Sequence, residues 1–450
     1  MLGFTAYVVI SIGLGVATWS RPAAAVAAIY CVQVLDFWGQ MSSPIIYEYG
    51  KVTNIYIALL GMLGAVRGRL TRSAQLEGVP YIKVLLLIFW LYAFLSLSWS
   101  RAMDTGLAEW LQWSPYMFLV LMAPEIIRER GDLYRALIVL LMTGGTLIGL
   151  VDIFATWQDR YVLSFWNADT RFWNALAFAS LGGYVAIAAI LLKSSKNWIW
   201  ISVRVLAVIA GLVVAVKSGT RGQFALMVVV PLVLLPFCLR MRNISNYFLF
   251  MFAAALLIGG ALWAFSHFGT QADVDGRWSQ NQMDSDMLER WRMAQRLLDY
   301  WWRASQSNPL WLFVGLGNSS SFSPHIVGYY PHVLTAEVLA EEGILGLATL
   351  LTLLILVTVN LVRAVKTSEI GSEERHGAIA VFGMFAYSFI LSFKQGSLAG
   401  SAEMFLPVVL LEQHVRVLST KLLSTRDEQI GAGDAERQQA SAIRFDNVMR

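Results

Sequence analysis

"YYPHVLTAEVLAEEGILG", residues 329–346, sets His332 and three carboxylates, Glu337, Glu341 and Glu342, just ahead of an apolar run that continues to residue 363. Ionised groups are costly in hydrocarbon, and where they occur at such depth they face a bundle interior or a cavity and have a partner. The stretch therefore reads as the mouth of a membrane helix packed within a larger bundle. A straight helix from 331 to 363 would be about 50 Å long against a hydrocarbon core of ~30 Å, so a bend is expected, at Gly343 or Gly346. Pro331 suits a first helical turn, which places His332 at a helix N-terminus. The positive end of the helix dipole disfavours imidazolium there, leaving a neutral ring able to accept a proton.

Composition supplies the bundle. The 450 residues are 57% hydrophobic and only 14% charged, against about 25% charged in a soluble domain, which points to a polytopic membrane protein. Apolar helices are expected near 4–19, 22–38, 52–66, 81–99, 112–125, 134–155, 173–192, 198–216, 222–239, 246–266, 333–363, 376–393 and 399–416. The first two runs are short and close together; one half-helix between them gives about twelve spans, two full helices give thirteen. Cations gather in alternate connections, "RGRLTR" (67–72), "RERGDLYR" (128–135), "KSSK" (193–196), "RMR" (240–242) and "RAVK" (363–366). Lys and Arg mark cytoplasmic loops, so these and the C-terminal tail are expected inside. The chain divides into a bundle over 1–266, an outer loop over 267–332 with an amphipathic helix near 290–313, further spans over 333–416 and a polar tail over 417–450. Cys31 and Cys238 lie in apolar runs and read as small buried hydrophobes.

The outer face should be poor in cations, yet Arg160, Arg171, Arg221, Arg277, Arg290, Arg292, Arg296 and Arg303 fall there. Loops as long as 267–332 are usually functional or disordered. Arg221 sits in the glycine turn "SGTRGQF" (218–224), where backbone can approach a ligand and a guanidinium offers a planar fork for phosphate oxygens. Arg290 in "ERWRMAQ" and the turn "GLGNSSS" (315–321), centred on Gly317, extend the theme of cation plus exposed amides. His267 and His325 compete with His332 as outward-facing bases. The pairs "DVDG" (273–276) and "DSD" (284–286) have metal-binding spacing but no third ligand, and read as solvated loop. No metal, cofactor or nucleic acid is expected.

These motifs resemble, in order, those of the O-antigen ligase and polymerase superfamily of bacterial envelope enzymes. "TRFWNALAFASLG" (170–182) is similar to its Arg-x-x-x-Asn span start, "SGTRGQF" to its Ser/Thr-Arg-Gly turn, "ERWRM" to its loop Arg, and "GLGN" to the turn before its last motif. "PHVLTAEVLAEEGILG" is similar to its His-Asn…Glu-x-Gly-x-x-Gly, with His332, Glu341, Gly343 and Gly346 in register and Val333 where the family has Asn. The resemblance implies an all-α, polytopic membrane protein akin to the integral-membrane (GT-C) glycosyltransferases. Its reaction would ligate O-antigen from undecaprenyl pyrophosphate onto lipid A–core at the periplasmic face of the inner membrane. It implies His332 as base and Arg221 and Arg290 on the pyrophosphate, with Arg171, Arg292, Gly317 and Glu341 binding substrate. O-antigen polymerase and protein O-oligosaccharyltransferase share these motifs, and a transporter or lipid flippase is the rival of another class.

Overall fold

The computed structural model describes residues 2–70, 80–158, 161–167, 171–174, 176–193, 196–239, 244–268, 280–394, 397–398 and 400–420. Arg160, the "DVDG" pair, Arg277, the "RMR" loop and the tail beyond 420 lie outside them. The helices are α1 (Leu2–Ser20), α2 (Ala24–Ser42), the short α3 (Pro44–Glu48), α4 (Val52–Leu70), α5 (Tyr81–Ser96), α6 (Met103–Met122), α7 (Asp132–Phe154) and α8 (Leu176–Leu191). They continue with α9 (Trp198–Lys217), α10 (Arg221–Cys238), α11 (Ile244–Phe268), α12 (Gln280–Ser307), the short α13 (Leu310–Val314), α14 (Leu334–Thr367) and α15 (Glu373–Leu391). The last, α16, spans 405–420. Eight of them are long and apolar enough to cross a membrane.

Contacts at the helix ends show how the chain traverses this bundle. At one end, the near end, Trp38 Nε1 at the close of α2 donates to the Gly3 carbonyl at the start of α1, 2.9 Å away. There too Phe165 N donates to Met41 O, Ser96 at the close of α5 reaches Glu342 early in α14, and Leu334 N donates to Ser392 O just past α15. At the far end Glu125 gathers Arg69 from the close of α4, Lys83 from the start of α5, and Arg128. Arg204 on α9 caps the last carbonyls of α8, and His414 meets the Glu374 carbonyl. α1 thus starts at the near end and α16 closes at the far one, so the bundle is crossed an odd number of times. Both α1 and α2 have 19 residues, ~28 Å of helix each, so neither is a half-helix. Thirteen helices thus traverse the bundle among the described residues, eight of them long and apolar enough to cross a membrane.

Small residues set the tightest contacts. α2 is almost wholly buried, and its run Ala24, Ala25, Ala27 and Ala28 lets neighbouring helices close in on every side. α8 and α9 touch backbone to backbone, since a Cβ built on Gly211 would lie 2.8 Å from the Gly182 carbonyl oxygen. Peripheral helices turn apolar side chains outward: Val9, Ile12 and Val16 of α1 are more than half exposed.

Not every near-end connection is an irregular loop. Here β1 (Trp157–Gln158), β2 (Tyr161–Leu163) and β3 (Arg171–Asn174) pair as a three-stranded antiparallel sheet, in register Trp157↔Val162 and Leu163↔Arg171. Strands this short give no readable alternation of apolar and polar residues. The helix expected over 290–313 is longer: α12 begins at Gln280 and Pro309 separates it from α13. Its inner face, with Leu297 and Trp301, packs on Leu316 and Ala340, while Trp291 and Trp302 stay exposed.

Candidate functional site

α14 is broken where its length demanded it. Gly343 has φ 67° and ψ −167°, a conformation open to glycine at little cost. The carbonyls freed by the break are taken by the turn after α13: Leu316 N donates to Ala340 O at 2.9 Å and Gly317 N to Glu341 O at 2.8 Å. Tyr92 Oη closes the junction by donating to Val314 O and Glu342 O.

The three carboxylates find their partners here. Glu341 is 1% exposed, and its two oxygens accept from Ser319 N at 2.6 Å and Ser321 N at 2.8 Å. Glu342 Oε1 accepts from Asn318 Nδ2 at 3.0 Å and Ser96 Oγ at 3.2 Å. Glu337 Oε1 accepts from Leu398 N at 2.9 Å. They pin two loops, 315–321 and the one after α15, to the upper part of α14. The amides of "GLGNSSS" are therefore not exposed as the sequence suggested. Gly317 is buried at φ 91°, and a Cβ on it would meet Ser100 N at 2.7 Å.

His332 lies before α14, which starts at Leu334 with Val333 as its N-cap. Pro331 is thus not in the first turn, and the helix dipole does not set the imidazole's charge. The residue has φ 59°, left-handed backbone that a non-glycine residue occupies at a cost and that clusters at functional sites. Its ring is wedged against Tyr330, centroids 4.3 Å apart, and Tyr329, 5.6 Å away. Among the described residues Nδ1 is buried with no hydrogen-bond partner. Burial and the Arg290 cation together push its pKa from 6.5 down to about 4. The ring is neutral, as the sequence reading required, through a different cause.

Arg290 is half-buried on α12 and its charge reaches both His332 and Tyr330. Arg292, two residues on and so on the other side of the helix, is exposed. Arg221 opens α10, and Ser218 and Thr220 hold its turn by bonding each other and the Ala215 carbonyl. Arg171 opens β3 with its backbone opposite Leu163. His325 is exposed in the 322–328 loop, and His267 ends α11. Asp284 and Asp286 lie in the first turns of α12.

Two residues escaped the sequence reading. A Cβ on Gly222 would lie 3.1 Å from Lys394 Nζ, so Gly222 makes room for a lysine beside Arg221. Lys394 follows Ser392, whose carbonyl receives Leu334 N, which ties Arg221 and Lys394 to the start of α14 and hence to His332. Glu109, on α6, accepts from Ser397 and Trp113 and adds its charge near Tyr330. Neither stands in a glycine turn or beside another chemical group in sequence; a lone Lys past a helix end, or a lone Glu in a helix's second turn, is ordinary. A cavity of about 920 Å³ opens beneath, reaching Tyr330, Leu391 and Ser392 at its upper rim. Its walls are mainly apolar, with Asp36, Gln40, Lys51, Gln112 and Glu403 among the polar members. The near end thus joins a neutral imidazole, Arg290, Arg221 and Lys394 above a mainly apolar chamber.

No family model matches the chain, and no curated protein matches it. Among solved structures, one from "Structural coordination of polymerization and crosslinking by a peptidoglycan synthase complex" is similar at a TM-score of 0.41 and 14% identity, over 75% of this chain and 96% of that one. A likeness that distant carries no argument about fold or chemistry.

Proposed function

We propose that the chain is a membrane glycosyltransferase that ligates a glycan from undecaprenyl pyrophosphate onto the lipid A–core oligosaccharide. The near end would face the periplasm, with the cation-rich far end and the C-terminus in the cytoplasm of a bacterial inner membrane. The observation that carries this reading is a neutral histidine, held in left-handed backbone, within electrostatic reach of Arg290. The acceptor hydroxyl would attack the anomeric carbon and give its proton to His332. The bond from that carbon to the pyrophosphate oxygen would break, inverting the centre and leaving its electron pair on the pyrophosphate. Arg290, Arg221 and Lys394 would stabilise that charge as it develops, and the apolar chamber would receive part of the polyprenyl chain. A ring with a pKa near 4 is a weak base, but a bound pyrophosphate offsets the Arg290 cation and so strengthens it. Base strength then depends on the donor being in place. Glu341 and Gly317 serve the scaffold in this scheme, and Arg171 and Arg292 remain candidates for the glycan beyond the reacting sugar.

The test is reconstitution of the purified full-length chain with polyprenyl-pyrophosphate glycan and lipid A–core, read as the shift of lipopolysaccharide on gels. Wild type should extend the core, and His332→Ala should not, with unchanged thermal unfolding. Substantial transfer by His332→Ala removes the base from the scheme. Glycan joined to glycan without touching the core identifies a polymerase, and glycan on added protein an oligosaccharyltransferase.

A further inference from the structure

Next to His332 an aromatic face is turned outward. Tyr329 is 48% exposed, yet it is not a loose side chain. Its ring lies on Tyr330 with centroids 4.1 Å apart, and the two phenol oxygens are 3.1 Å from each other. Phe322 buttresses both, at 6.2 Å from Tyr329 and 6.0 Å from Tyr330. The loop that carries them is closed on itself, since Gly328 N donates to Ser321 O at 2.9 Å and to Ser323 O at 3.0 Å. Ser321 is itself fixed by Glu341. Tyr330 lines the chamber below; Tyr329 is not among its lining residues.

We propose that Tyr329, backed by Tyr330 and Phe322, is a stacking platform for a sugar ring of the acceptor, seated beside His332. A hexose or heptose ring presents one face of polarised C–H bonds, which the negative face of an aromatic ring attracts, while its hydroxyls point outward at the rim. A tyrosine already held by its neighbours gives large amphipathic contact area at little further entropy cost. The centroid separation of 5.6 Å between Tyr329 and His332 puts the hydroxyls of a ring on the platform beside the imidazole. The assignment to the acceptor rests on the transferase reading; the platform does not. An exposed tyrosine at a membrane interface also serves as a lipid anchor. An anchor needs no packed cluster of three aromatic rings beside a histidine.

The experiment measures binding first and transfer second, on the full chain in detergent micelles. The probe is a soluble core oligosaccharide freed from lipid A by mild acid, followed by calorimetry and by saturation transfer to its ring protons. Tyr329→Ala and Tyr329→Leu should each weaken binding about tenfold, because both lose the aromatic face. Leucine keeps apolar bulk against Tyr330, and Tyr329→Phe and Tyr329→Trp should bind within about twofold of wild type, since they keep the stacking surface. In the transfer assay Tyr329→Leu should raise the acceptor KM by the same factor and leave kcat within about threefold, as expected when uniform binding is lost. No binding by wild type, or equal binding by Tyr329→Leu, overturns the platform and leaves Tyr329 an interface anchor. Binding that depends on the aromatic ring, with no transfer by wild type, keeps the platform and sinks the transferase reading instead.

Discussion

Replacing Glu341 separates a substrate contact from a scaffold. Its carboxylate accepts two backbone N–H bonds, from Ser319 at 2.6 Å and Ser321 at 2.8 Å, at a position 1% exposed. Hydrogen bonds to a charged acceptor contribute about 1.5–3 kcal/mol each, so Glu341→Ala should cost roughly 3–6 kcal/mol and strand two buried amides. That is a large share of the ~5–15 kcal/mol by which folded domains are stable. Glu341→Gln keeps one acceptor oxygen and turns an NH₂ toward the other amide, so it should lose at least half as much. The assay is unfolding of the detergent-solubilised chain followed by tryptophan fluorescence, with amide hydrogen exchange read at Ser319 and Ser321. Both amides should exchange much faster in Glu341→Ala, and the unfolding midpoint should fall in the order wild type, Gln, Ala. A residue that binds substrate would behave in the opposite way, with turnover lost, stability kept and the amides still protected. That pattern would refute the clamp and return Glu341 to the substrate site.

His332 titrates near 4 in the folded chain against an ordinary 6.5, so above 6.5 neither state holds its proton. As pH falls from about 6.5 to about 4 the unfolded chain binds a proton that the native one refuses, and stability drops across that window and levels off below it. The acid limb of kcat/KM, which reports the free enzyme, should accordingly lie near 4 and move up by only the smaller part of the shift in Arg290→Gln, because burial, the larger cause, remains; a wild-type limb at 6.5, or one indifferent to Arg290, defeats the assignment. Gly343→Ala should cost several kcal/mol, roughly 3 or more, because its Cβ would run into the Phe313 carbonyl at a φ of 67°. Gly149→Ala, in open space within α7, should be neutral or slightly stabilising, and equal unfolding midpoints for the two variants would show that the break in α14 is dispensable.

The sequence made the passes legible because each is an apolar run near the length a bilayer needs, bounded by cations or by glycine and proline turns. α9 (Trp198–Lys217) and α10 (Arg221–Cys238) fall within a residue or so of their expected bounds. Parity between α1 and α2 was not legible. It depends on whether each short run is extended by neutral residues, as α2 is by Gly39, Gln40, Met41 and Ser42, and on which end meets which. Trp38 bonding to Gly3 is a tertiary fact with no local sign. The small sheet was invisible for a related reason: β1 has only two residues.

At the candidate site, chemical identity was legible and geometry was not. Length showed that α14 must bend and its glycines narrowed the place to Gly343 or Gly346, of which the structure uses Gly343. Neither could show that the break frees two carbonyls, nor that the turn after α13 would supply amides for them and for Glu341. A carboxylate read along the chain looks the same whether it waits for a ligand or is already satisfied. The difference is decided by a loop twenty residues upstream. Proline misled in the same way, because Pro331 beside a helical pattern fits position N1, whereas His332 adopts φ 59° and delays the helix to Leu334. That left-handed turn removes the imidazole from the helix dipole and sets it among Tyr329, Tyr330 and the field of Arg290. Neutrality survived the change of cause because burial and a nearby cation act on a histidine in the same direction as a helix N-terminus. What changes is the control: a helix dipole is fixed, whereas the smaller part of the shift, owed to Arg290, can be offset by a bound anion while the larger part, owed to burial, stays.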